Sequence, residues 1–279
     1  MTISATMIKE LRERTGVGMT KCKEALVKSS GDMEEAINYL RKTGMASAVK
    51  KASREAKEGK IAFAETDDCL ALVEISSETD FVANNERFVD YLKCISQEIA
   101  TTKPSSLEEF LKQPYSKDPS MTIEEYQGTL VQAIGENIRV KRFVFFPKES
   151  GKTLGVYSHM GGKIVTLVEM QGDAVDVARD VAMHAAAASP DYLSPETIPE
   201  DVKEHERGIA REQLKGKPEN IMEKILEGKL GAFYDDVCLL RQKFVKDDSL
   251  SVGEFVTQKG KEKGQDLVVT NFTRWSVGE

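Results

Sequence analysis

Cysteine, histidine and tryptophan are scarce in this sequence, at four, three and one residues in 279. None of Cys22, Cys69, Cys94 and Cys238 forms a C-x-x-C pair, which excludes the simplest zinc and dithiol motifs. Each lies in an apolar context and reads as a small core residue, at home in a reducing compartment. No Ser/His/Asp set and no metal-ligand spacing is visible, so neither a cofactor nor a resident metal is expected. A basic excess is also missing. The net charge is -7 and the pI about 5.3, which argues against a partner recognised through a nucleic-acid backbone. No apolar run approaches the length of a membrane span, and the N-terminus lacks a basic-then-apolar signal pattern. A cytoplasmic location with no membrane partner is therefore expected. What remains is 40% hydrophobic and 30% charged, the balance of a globular chain of about two domains.

The stretch Ser76 to Asn85 organises the rest. It follows an apolar run, Leu70 to Ile75, that reads as a buried strand. It precedes a helical pattern with apolar residues at Phe88, Leu92, Ile95 and Ile99. Asn84 or Asn85 would cap that helix. Asp80-Phe81-Val82 is thus placed on a strand-to-helix loop. Pattern alone favours Phe81 and Val82 packing beneath the loop, since most loop aromatics are partly buried.

Upstream, three short helices are expected before Gly44. Met7, Ile8 and Leu11 mark the first, which Gly16-Val17-Gly18 breaks. Cys22, Ala25 and Leu26 mark the second. Asp32 caps the third, with Glu35 at capping-box spacing, and Gly44 would close it. Gly16 to Lys21 lacks the glycine before the lysine and the preceding strand of a phosphate loop. It reads as a helix–helix turn with Met19 exposed. Ala46 to Lys57 reads as a solvated helical linker.

Strands begin after Gly59. Ile61–Glu65 and Cys69–Ser76 form a hairpin. Pro104 to Pro119 looks irregular apart from a helical piece near Leu107 to Leu111. Thr122 and Glu125 open a helix to Ile134, and Ile138 to Phe146 is a strand. The theme then recurs: a hairpin across Gly161-Gly162 and a helix from about Ala174 to Ala188. Leu167-Val168-Glu169-Met170 echoes Leu72-Val73-Glu74-Ile75, so an internal duplication is inferred. Val202 to Leu214 and Pro218 to Gly228 read as an inserted helical hairpin about Gly216-Lys217-Pro218, with apolar positions at Val202, Ile209, Leu214, Ile221, Ile225 and Leu226. Cys238 to Phe244 returns to the core, and Leu267 to Trp275 is a closing strand. His184, on an alanine-rich helix, reads as a packed core histidine, and His205 as solvent-facing. The expected fold class is α+β. It has an N-terminal three-helix module with its linker (1–54), duplicated α+β core subdomains with antiparallel sheets (55–146; 147–189 with 231–279) and an inserted hairpin (190–230).

These residues carry a resemblance over essentially the whole chain. Leu11 to Met19, Lys21 to Leu26, Gly31-Asp32 and Thr79-Asp80-Phe81-Val82-Ala83-Asn84 resemble the elongation factor Ts family. So do Gly135 to Ile138, Tyr157-Ser158-His159, Ala182 to Ala186, Gly216-Lys217-Pro218 and Leu239 to Val245. The resemblance implies a non-enzymatic guanine-nucleotide exchange factor of translation that binds elongation factor Tu in its GDP-bound and nucleotide-free states. It implies that Thr79, Asp80, Phe81 and Val82 push into the partner's nucleotide domain and help dislodge its Mg2+, against the pattern-only reading. It also places His159 where a family histidine contacts the partner's nucleotide domain and implies a homodimer through the inserted hairpin; Arg12 and Met19, expected to be exposed on the separable three-helix module, are its docking residues. Some members carry a further helical module after the last core strand. This sequence ends at Glu279, so that contact is not expected. Two rival readings are an enzyme using His184 with Cys238 or an acidic residue, and a scaffold that binds a partner through the three-helix module alone.

Overall fold

A computed structural model describes residues 3–214 and 219–279, so the turn at Gly216-Lys217-Pro218 lies outside the described residues. The chain divides into two compact units. One is Met1–Pro147 with Gly161–Lys163 and Ser276–Glu279; the other is Lys148–Met160 with Ile164–Trp275.

The first unit opens with α1 (Ala5–Thr15), α2 (Met19–Lys28) and α3 (Met33–Lys51). Leu11, Val17, Cys22, Ala25, Leu26, Ala36 and Leu40 form their shared core. Asp32 starts α3 by accepting the Glu35 N–H at 2.8 Å. Gly44 does not end it. The helix runs on to Lys51, and residues 46–51 are its last turns rather than a linker. A glycine inside a helix costs about 1 kcal/mol relative to alanine. Here the missing side chain admits α7 (Ile123–Ile134). A Cβ at Gly44 would sit 2.9 Å from the Gly128 carbonyl oxygen, and one at Gly128 3.0 Å from the Met45 nitrogen. The crossing brings backbone onto backbone.

The sheet is antiparallel, in the order β1 (Glu58–Glu65), β2 (Cys69–Ser77), β5 (Arg139–Pro147). β2 is central and wholly buried. Its Ala71, Val73 and Ile75 join Phe88, Tyr91, Ile95 and Ile99 of α5 (Glu86–Thr102) and Val131 of α7 in one core. Glu74, on the opposite face, is fully buried and paired with Lys141 at 3.1 Å and Arg142 at 2.6 Å. Between β2 and α5 lies a single helical turn, α4 (Asp80–Ala83). The segment expected to be irregular is ordered as α6 (Leu107–Lys112), β3 (Pro114–Tyr115) and β4 (Asp118–Thr122), with β4 running straight into α7.

In the second unit β6 (Lys152–His159) pairs antiparallel with β7 (Ile164–Gln171), and β10 (Val268–Ser276) completes the order β10-β7-β6. α8 (Val175–Ala188) packs on both β6 and β7. The hairpin is α9 (Glu200–Gln213) and α10 (Glu219–Val237), closed by Ala210, Leu214, Leu226 and Leu230. Then come β8 (Lys243–Phe244), β9 (Asp247–Ser251) and α11 (Val252–Lys263), a helix the sequence reading missed.

The duplication extends further than the four-residue echo. Lys117-Asp118-Pro119-Ser120-Met121-Thr122 matches Lys246-Asp247-Asp248-Ser249-Leu250-Ser251. Asp118 accepts the Ser120 N–H and Asp247 the Ser249 N–H. Thr122 with Glu125 and Ser251 with Glu254 are both complete capping boxes. The described elements are mixed helix and antiparallel sheet, an α+β fold.

Candidate functional site

The corner between β2 and α5 is built by short-range hydrogen bonds. Thr79 leaves the strand in extended conformation and its Oγ1 accepts the Val82 N–H, capping α4. The Ser77 hydroxyl donates to the Thr79 carbonyl at 3.0 Å. Asn84 closes the turn: its N–H and its Nδ2 both donate to the Asp80 carbonyl, at 3.0 and 2.9 Å. Asn85 restarts the helix by accepting the Arg87 N–H at 3.0 Å. The expected loop is therefore one rigid turn. A shared capping residue pair, Thr79 and Asn85, makes it that.

This turn aims its side chains in two directions. Ala83 is buried and Val82 packs against the first unit's core. Asp80 is exposed and Phe81 is 85% exposed. Packing beneath the corner holds for Val82 and fails for Phe81. A Phe in open solvent forgoes roughly 1.5–3 kcal/mol of burial. That free energy is available to whatever covers it.

The turn is also held from a distance. Glu136, just after the left-handed glycine Gly135 that ends α7, accepts the Glu78 N–H at 3.1 Å, the Thr79 N–H at 3.0 Å and the Thr79 hydroxyl at 2.6 Å. Glu78 in return accepts the Asn137 N–H at 2.7 Å. The sequence reading assigned no role to Glu136, because nothing local links it to a corner 57 residues away.

Of the other expected residues, Arg12 and Met19 are exposed, Met19 by 52%. The turn between them is tied to the corner, since the Arg87 guanidinium donates to the Gly16 carbonyl. His159 is in the second unit, exposed at the end of β6 and stacked on Tyr157 with ring centroids 6.1 Å apart. Met160 beside it is 71% exposed.

The enzymatic rival finds no support in the second unit. His184 is buried, and its Nδ1 accepts the Val245 N–H at 3.1 Å. Nε2 therefore carries the proton and donates to Gln242 Oε1 at 3.0 Å. Both ring nitrogens are committed, and burial lowers the ring's pKa. Burial pushes the Cys238 thiol up to about 11, so it stays protonated rather than nucleophilic. Cys22 is likewise raised by burial. Cys94, expected in the core, is only half-buried, with its sulfur 3.1 Å from Lys117 Nζ. Among the described residues no group of three or more His, Cys, Asp or Glu side chains could hold a metal ion. Among them, too, no helix is long and apolar enough to cross a membrane.

The family described as Elongation factor TS matches residues 78–279. Elongation factor Ts of Protochlamydia amoebophila is 56% identical over 279 residues, covering 99% of each chain. That of Chlamydia muridarum is 43% identical, covering 99% of this chain and 98% of its own. That of Trichlorobacter lovleyi is 43% identical, covering 100% of this chain and 94% of its own. A family match that begins at the corner itself, and relatives aligned over nearly their whole length, place the chain in the elongation factor Ts family of translation elongation factors.

Proposed function

We propose that this chain is the guanine-nucleotide exchange factor of elongation factor Tu, and that Thr79, Asp80, Phe81 and Val82 act on the partner's nucleotide site. The observation that carries the reading is Phe81, held 85% exposed on a turn capped at both ends. A rigid aromatic loses little conformational entropy on insertion, which is what an interface anchor requires. Burying it supplies roughly 1.5–3 kcal/mol toward a partner conformation in which Mg2+ is displaced. Mg2+ tolerates little departure from octahedral geometry, so a small push costs the ion its site. Asp80 offers a competing acceptor beside it.

No bond is made or broken in this scheme, so the protein acts without being an enzyme. It binds the nucleotide-loosened state better than the GDP-bound state and shifts the population. By linkage it weakens GDP by the ratio by which GDP weakens it. Arg12 and Met19 of the three-helix module, and His159, add docking contacts. The α9–α10 hairpin is the surface for a second copy. Its buried residues close within the hairpin, leaving Ile209 exposed for pairing. The cytoplasm, where translation proceeds, is the proposed location.

Release of labelled GDP from elongation factor Tu tests the reading. Phe81→Ala should keep the native melting profile and lose stimulation by about tenfold or more. Asp80→Ala should show a deficit that shrinks when Mg2+ is chelated. Melting that collapses with activity would make Phe81 a core residue. Binding without any stimulation by the unaltered chain would leave only a scaffold.

A further inference from the structure

We propose that Glu136 is the positioning residue for Phe81: a carboxylate latch that fixes the turn on which the aromatic is presented. The inference rests on the exchange reading above and adds to it a residue that acts through the turn rather than in place of Phe81.

The first observation is the density of contacts. One carboxylate takes three donors from two consecutive residues, Glu78 and Thr79, immediately before α4. Hydrogen bonds to an ionised acceptor are roughly twice as strong as neutral ones. The Thr79 hydroxyl does double duty. It donates to Glu136 and accepts from Val82 N–H, so its orientation as a cap is set by Glu136. A cap that is held cannot rotate away and let the turn unwind.

The second observation is independent and comes from the repeat. α11 ends, like α7, on a left-handed glycine, Gly264. The residue after it, Gln265, accepts the Asp173 N–H at 2.8 Å. Asp173 is the repeat's counterpart of Glu78, and Ala174, the N-cap of α8, that of Thr79. The same latch position thus closes the same corner in both copies. In the second unit it is a neutral amide with one donor, on a cap that has no side-chain hydrogen bond. In the first it is a carboxylate with three. The stronger latch accompanies the copy that carries the exposed aromatic. The slot occupied there by Phe81 holds Asp176 in the second unit, an exposed carboxylate paired with Lys263 at 3.0 Å.

The test uses the full chain with Glu136→Ala, Glu136→Gln and each combined with Phe81→Ala. Amide hydrogen exchange reads the latch directly. Glu136→Ala should speed exchange at Glu78, Thr79 and Val82 by about tenfold or more, with Ile95 to Ile99 unchanged. In GDP release from elongation factor Tu, the maximal rate should fall about tenfold while the half-maximal concentration moves less than about threefold. Glu136→Gln, which copies the latch of the second unit, should recover part of that rate. Adding Phe81→Ala to Glu136→Ala should cost nothing more, because the two act as one unit. Unchanged amide exchange, or losses that simply add, would overturn the proposal. Should Phe81→Ala alone release GDP normally, the exchange reading fails, and the amide measurement still decides whether Glu136 holds the turn.

Discussion

At the end of β2 the chain makes a capped turn, breaks at Asn84-Asn85, and leaves Phe81 in solvent. At the end of β7 the chain passes Gly172 and enters α8 without a break. Leu267 covers that second corner: a Cβ at Gly172 would lie 2.5 Å from its side chain. Two copies of one strand-to-helix junction therefore differ in what they leave exposed. The closed copy is held by a small residue, by Gln265 on the Asp173 N–H and by Thr153, whose hydroxyl donates to the Gly172 carbonyl and accepts the Ala174 N–H, with Asp176 paired to Lys263. The first copy carries more, and of its additions only the exposed aromatic does nothing to hold the fold. An aromatic in a charged slot, a threonine cap and a three-donor carboxylate are the additions.

The sharpest way to break the comparison is to exchange the two side chains. Phe81→Asp should lower GDP release by about tenfold or more, and adding Asp176→Phe should not restore it. Stability should shift by no more than about 1 kcal/mol, since Phe81 faces solvent and Asp176 loses only an exposed ion pair with Lys263. Restoration by the double exchange would mean that the two corners are interchangeable.

Next in size is the lesion confined to the closed corner. Gly172 has φ +99 and no room beyond its Cα. Gly172→Ala should destabilise the protein by about 1–3 kcal/mol in denaturant unfolding. GDP release per folded molecule should stay normal. A loss of exchange at full folding would contradict the separation of roles.

A smaller effect is expected at Arg87. Arg87→Ala removes one exposed hydrogen bond, to Gly16, worth about 0.5–1.5 kcal/mol. It should raise the half-maximal concentration by about threefold without changing the maximal rate. A changed maximal rate alone would show that Arg87 acts on the turn and not on docking.

The smallest is a pH effect in the second unit. His184 is buried and its pKa is lowered, so its neutral form is the folded one. The unfolded chain binds the proton first, near the ordinary value of about 6.5. Stability is therefore full above that pH and declines as pH falls toward the lower folded value. Amides of Gln242 to Val245 should lose protection in that window while those of the β2 corner keep theirs.

Much of this was legible in the residues themselves. Thr122 and Glu125 announce their helix because a capping box is local. Leu70 to Ile75 announces a buried strand because the run is continuous, although nothing local shows that Glu74 is buried with two cations. Gly44 misled because glycine signals both a helix end and a close approach, and only the position of Gly128 distinguishes them. β3 and β8 are two residues long, too short for alternation to register. α11 escaped because Gly253, Gly260 and several lysines thin its apolar stripe to Val252, Phe255 and Val256. Phe81 was readable as exposed only through the family resemblance. Glu136 was readable from neither pattern nor period, but aligning Gly135-Glu136 with Gly264-Gln265 would have singled it out.

The Gly44–Gly128 crossing bears on the order in which the chain is synthesised. The first half of α3 finds its neighbours, Leu11, Leu26 and their cluster, as soon as it leaves the ribosome. The second half packs chiefly on α7, which follows only after β1, β2 and α5 have been made. At roughly 5–20 residues per second that interval lasts several seconds. During it, Gly44 stands in a half-made helix with no packing to offset its weak helical preference. The nascent N-terminal module should thus emerge with a frayed tail, and the arrival of α7 should turn three helices and a sheet into one body.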